Sequence, residues 1–163
     1  MKVQIDQSNK IEQTQKDTVI ALSNGIKFTI LIRAKDKRTL QNEFRKRGEP
    51  RNFIVFTFSA LLVFLLRKIK PAVSVIIDLE YSDKENIIWD RLVEYSRLVD
   101  FKIDRSLIRF KSVGKESPAH KLAARVSARK QNPDLRISAK EVIEVIFPKE
   151  KDRASLRLGP RSV

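Results

Sequence analysis

Two aspartates, Asp6 and Asp78, each close a run of residues patterned to lie in a β-sheet. Asp6 follows Val3-Gln-Ile5, an alternation that puts Val3 and Ile5 on one face and Gln4 and Asp6 on the other. Asp78 ends Val73-Ser-Val-Ile-Ile77, a nearly continuous apolar run of the kind buried between helices, where a carboxylate is costly without a partner. Adjacent strands lie about 4.8 Å apart, so neighbouring strands would let these two carboxylates share a cation. Their oxygens suit Mg²⁺ and Mn²⁺. Two such ions about 3.5–4 Å apart assist in-line phosphodiester hydrolysis, one activating water and the other stabilising the leaving oxygen. Glu80 lies on the side of Asp78 by the period of two and either joins the pair or sits in solvent. Asp6, followed by Gln7-Ser8-Asn9, either holds a cation or caps a turn.

Composition narrows the chemistry. The 163 residues include 34 Lys and Arg against 20 Asp and Glu, a net charge of +14, with 42% hydrophobic residues. Such a chain is apolar enough to fold and basic enough to seek a polyanion. The absence of cysteine excludes disulfide scaffolds, thiol catalysis and Cys-based metal sites, and the single histidine, His120, excludes sites built on several His ligands. Basic residues cluster at 35–38, 45–47, 67–70 and in the tail at 149–161. Lys121, Arg125 and Arg129 recur every four residues beside Lys115 and Lys130. On a helix this is either a solvated face or a ridge that tracks phosphates. The longest apolar stretch, Phe53 to Leu66, is shorter than the roughly 20 residues of a membrane span, so a buried helix and a cytoplasmic protein with no membrane partner are expected.

The elements that must position these residues can be read in order. Strands are expected over 2–7, 18–22 and 27–33, with Asn24-Gly25 as a two-residue hairpin turn, making an antiparallel meander. Asp36 is expected to cap a basic helix to about Arg47, and the apolar segment 53–70 to form a helix ended by Pro71. A strand over 73–79 follows, parallel to the first because a helix-sized crossover separates it from the meander. Ser82 with Glu85 reads as a capping box for the next helix, whose apolar stripe includes Ile88, Leu92 and Tyr95. Another strand covers 106–113, Ser117-Pro118 starts a helix to about Lys130, and Ser138 with Glu141 caps a last helix to Ile146. Residues 1–147 thus form one domain, with 148–163 a basic, disordered tail. Trp89, Tyr95, Phe56, Phe58 and Phe64 read as core rather than as base-stacking platforms.

Three hairpin-linked strands followed by helix, strand, helix, strand and helix resemble the ribonuclease H-like superfamily over about residues 2–130. The resemblance implies an α/β fold with a five-stranded mixed sheet in which the two later strands run parallel to the first. It also implies a metal site with Asp6 on the first strand, Asp78 at the end of the fourth, and His120 in Ser117-Pro-Ala-His-Lys-Leu-Ala123 at the start of the helix after the fifth. Such a site is similar to the Asp-Asp-His sets of some branches, with Glu80 assisting. It implies a nuclease that uses Mg²⁺ or Mn²⁺, two ions with substrate bound, on single-stranded DNA, RNA or a hybrid. Many members add a Glu from the helix before the fourth strand, but residues 53–70 contain no acid, so a three-ligand site is expected, with Glu12, Asp17 and Asp104 left as candidates for a fourth ligand. A non-catalytic nucleic-acid-binding module on the same fold is the competing expectation.

Overall fold

A computed structural model describes residues 2–69 and 74–150. The chain forms β1 (Lys2–Ser8), β2 (Thr18–Ser23), β3 (Phe28–Ile32), α1 (Ala34–Lys46), α2 (Phe53–Ile69), β4 (Ser74–Asp78), α3 (Glu85–Leu98), β5 (Ile108–Lys111), α4 (Pro118–Ser127), β6 (Leu135–Ile137) and α5 (Ala139–Ile146), with short 3₁₀ turns before α2 and β5. The strands make one mixed sheet in the order β5-β4-β1-β2-β3-β6. β1, β2 and β3 pair antiparallel as a meander, while β4 runs parallel to β1 and β5 parallel to β4.

The sheet has six strands rather than the expected five. β6 is only three residues long, too short to show a period, and pairs parallel to β3 at the far edge. Asp134 fixes it there, its Oδ2 accepting from both the amide and the hydroxyl of Thr29 at 2.8 and 3.0 Å. Two expected caps are also absent. α1 begins at Ala34 and Asp36 Oδ1 instead accepts the Ala139 amide at the start of α5. α3 begins at Glu85 after Lys84, without a side-chain cap from Ser82. The hairpin connection runs over residues 24–27, with Asn24 and Gly25 both at positive φ, a conformation glycine adopts without strain. The ends expected at Lys70, Pro71 and Val73, and the tail from residue 151, lie outside the described residues.

α2 fills the core. The helical segment Pro50–Ile69 is long and apolar enough to cross a bilayer, longer than the Phe53–Leu66 stretch suggests, but 67% of its apolar 18-residue window is buried inside the fold. Leu61, Leu62, Val63, Leu65 and Leu66 are buried with Val3, Ile5, Val75 and Ile77 from the sheet. Trp89, Tyr95, Phe58 and Phe64 are buried in the same cluster. Among the described residues, the opposite face is covered by α4, through a small cluster of Val19, Ala21, Leu31, Leu122, Ala123 and Val126.

Candidate metal centre

The parallel register of β1 and β4 sets Ile5 beside Ile77, both buried in the large core. One residue further along each strand come Asp6 and Asp78, which the alternation of strand side chains turns to the other face. There one carboxylate oxygen from each of Asp6, Asp78 and Glu80 lies within 4.8 Å of the other two. β4 ends at Asp78, short of the expected residue 79, and the Glu80 amide turns back to the Asp78 carbonyl at 2.9 Å. Glu80 therefore reaches the pair from the turn that follows the strand rather than from the strand itself.

Each acid has its own anchor. Asp78 Oδ1 accepts the Val113 amide at 2.8 Å, tying the acid to the segment that leads from β5 to α4. Asp6 Oδ1 accepts the Gln7 amide at 2.7 Å, and Oδ2 faces His120 Nδ1 at 2.8 Å. His120 stands in the first turn of α4, where Ser117 caps the helix by accepting the His120 amide at 3.0 Å and Pro118 presets the first-turn backbone. With the proton on Nδ1, the ring donates to Asp6 and holds that carboxylate in one orientation, as outer partners of metal ligands do. The Glu80 carboxylate is met from outside by Lys10 Nζ at 3.5 Å.

Two of the three carboxyls, Asp6 and Glu80, are held above their ordinary range. Burial pushes the Asp6 carboxyl above its ordinary value, against the lowering effect of its hydrogen bonds from His120 and Gln7, and the charge of Asp78 adds to the rise. Burial also raises Glu80, and a hydrogen bond shared with Asp78 adds to the rise while Lys10 opposes it. A divalent cation among these oxygens would relieve both effects. The donor set, all hard oxygen, fits Mg²⁺ or Mn²⁺. Gln7 and Phe58 lie close to Asp6, Asp78 and Glu80, and Gln7 Oε1 is buried without a hydrogen-bond partner among the described residues.

The structure brings Asp6, Asp78, Glu80 and His120 together; His120 contacts Asp6 without belonging to the three-carboxylate cluster. The suggested fourth ligands lie elsewhere. Asp17 accepts the Ala34 amide, Asp104 accepts the Ser106 amide and hydroxyl, and Glu12 accepts from Tyr81. Lys115, Lys121, Arg125, Arg129 and Lys130 are all exposed, but the four-residue ridge does not run to its end. α4 stops at Ser127 and Arg129 has a φ of 60°, so only Lys121 and Arg125 share the helix face, and Lys121 is 3.2 Å from Glu116. Sequence reading missed Gln7, Lys10 and Tyr81. Tyr81 OH accepts from Gln7 Nε2 and the Ile11 amide, both at 3.2 Å, across 70 or more residues, a separation that leaves no local pattern. The chain matches no known family model, no curated protein and no solved structure.

Proposed function

We propose that the chain is a divalent-metal-dependent nuclease of ribonuclease H-like fold, hydrolysing phosphodiester bonds of single-stranded DNA, RNA or an RNA/DNA hybrid. The observation that carries the reading is the meeting of Asp6, Asp78 and Glu80 within 4.8 Å on one side of the sheet. The strand order β5-β4-β1-β2-β3, with its antiparallel meander and parallel β4 and β5, supports the fold assignment, β6 being an addition at the β3 edge. Residues 53–69 supply no acid, and Glu80 would serve as the third carboxylate of the site.

When bound, one or two Mg²⁺ or Mn²⁺ ions would activate water and stabilise the leaving oxygen. The protein residues have separate tasks. Asp6, Asp78 and Glu80 hold the positive charge, Asp78 from a position fixed by the Val113 amide. His120 keeps Asp6 in register through Nδ1, leaving Nε2 as the ring atom available to a cation or a proton. Lys115, Lys121, Arg125, Arg129 and Lys130 would gather the polyanion by counterion release.

The lack of an acid in α2 favours one second reading, a nucleic-acid-binding module without catalysis. A gel assay on labelled single strands, duplex and hybrid decides between them. The nuclease cuts at least one substrate in Mg²⁺ or Mn²⁺ and stops in EDTA. Binding that survives EDTA with no cutting in either metal supports the module.

A further inference from the structure

The β1–β2 loop, residues 9–17, is fastened from below by a buried lysine. Lys37 of α1 has no exposed surface, and its Nζ donates to the Gln13 carbonyl at 2.7 Å, to Thr18 Oγ1 at 2.9 Å and to the Lys10 carbonyl at 3.3 Å. Tyr81 grips the same loop, accepting the Ile11 amide and donating to Glu12 Oε2 at 3.3 Å. The backbone of Lys10 is therefore fixed from two sides. Its side chain ends in a different kind of contact, an ion pair with Glu80 whose lysine side chain is 48% exposed. Exposed pairs of this type stabilise a fold very little. A rigid mount that carries a weak ion pair suits a charge that must change partners rather than one that braces the fold.

We propose that Lys10 is the resident counter-ion of the acidic centre, holding Glu80 until a divalent cation takes that carboxylate and then turning to a phosphate of the nucleic acid. The proposal rests on the metal-centre reading and adds to it a coupling between cation and substrate. A cation at Glu80 puts new positive charge beside Nζ, and the repulsion drives the ammonium away. Its flexible stem and three donors suit a phosphate as a point charge. Lys10 thus opposes cation binding to the free protein and favours nucleic-acid binding to the cation-loaded one. By reciprocity, nucleic acid must raise cation affinity through the same residue.

The test measures Mn²⁺ binding by electron paramagnetic resonance, and binding of a cleavage-resistant phosphorothioate strand in Mn²⁺, for the full chain and for Lys10→Gln, Lys10→Arg and Asp78→Asn. Lys10→Gln should bind Mn²⁺ about two- to five-fold more tightly, the fold-change that corresponds to losing an exposed competing pair. The same variant should bind the strand more weakly, with a salt slope shallower by about one. Lys10→Arg, which keeps the charge, should stay near wild type in both. Opposite signs for cation and strand are what a merely structural lysine cannot produce. Unchanged or weaker Mn²⁺ binding by Lys10→Gln, or unchanged strand affinity and slope, overturns the proposal. If Asp78→Asn loses Mn²⁺ while Lys10→Gln behaves as wild type, only the role of Lys10 falls. If the wild-type chain binds no Mn²⁺, or Asp78→Asn binds it equally well, the metal-centre reading falls and the role of Lys10 with it.

Discussion

The two faces of the sheet are built for different ends. On one, α2 lies against β2 and β3 with α3 and α5 packed around it, and the cluster there includes nearly every large buried apolar residue. On the other, α4 is what covers β1 and β2 among the described residues, through a few small and medium side chains, and Asp6 and His120 meet beneath its first turn. Burial of apolar area carries most of the stability of a fold, so the thick face holds the molecule together. The thin face is left to hold polar groups that destabilise it, as functional sites commonly do. Substitutions on the two faces should therefore separate activity from stability.

The largest separation is expected at Asp6. Asp6→Asn keeps the shape but removes a charge needed to hold a cation, so metal-dependent cleavage should vanish in the gel assay. Strand binding in EDTA should persist or tighten as repulsion of phosphate falls. On the opposite face, Leu62 has no exposed surface, and Leu62→Ala should destabilise the fold by about 2–5 kcal/mol in urea unfolding. Folded Leu62→Ala protein should still bind Mn²⁺ as wild type does, and loss of the site with the core would break the comparison. His120→Ala should lower kcat/KM by about 10- to 100-fold through loss of the group that orients Asp6, with less effect in Mn²⁺ than in Mg²⁺.

A smaller effect carries a pH sign. Asp6 and Glu80 both have carboxyls raised by burial, so the folded chain binds protons there more tightly than the unfolded chain. Their contribution to stability is fully present below the ordinary carboxyl range and is lost as pH rises through the raised values. Asp78→Asn removes a neighbouring charge that raises both groups, so the metal-free variant should be more stable than wild type at neutral pH by about 0.5–2 kcal/mol. The advantage should disappear in thermal melts as pH falls below about 4, where both acids are protonated folded or unfolded. An equal advantage at every pH would point to a cause other than carboxyl repulsion. The smallest effect is expected on the basic face. Arg125→Glu should weaken binding of unrelated sequences alike and reduce the salt slope by about one or more.

The features legible in the sequence are those with a local period. The alternation of Val3 and Ile5, the β-branched run to Ile77 and the Ser117-Pro118 start of α4 each reflect contacts made within a few residues, and the structure has the corresponding elements. Parallel pairing of β1 with β4 followed from the length of the crossover. The misses share a different origin. Asp36 has the local pattern of a cap but serves the Ala139 amide 103 residues away, and β6 is tied to β3 by Asp134, which reaches Thr29 across 105. At the site, Asp6 and Asp78 showed themselves as polar residues closing apolar runs. The place of Glu80 depends on a turn after β4, which no local period shows, and Lys10 and Gln7 give no signal because their partners at 80 and 81 lie in another element. Arg129 shows the limit of spacing arguments, since a four-residue period holds only while the helix lasts.

The central claim is that the carboxylates at the ends of β1 and β4 form one cation centre. Anomalous diffraction from crystals of the chain soaked in Mn²⁺ tests it most directly. The account predicts a peak bounded by Asp6, Asp78 and Glu80 with metal–oxygen distances of about 2.0–2.2 Å, together with Lys10 Nζ withdrawn from Glu80. A crystal saturated with Mn²⁺ that shows no peak there, or a peak at other carboxylates only, would contradict it.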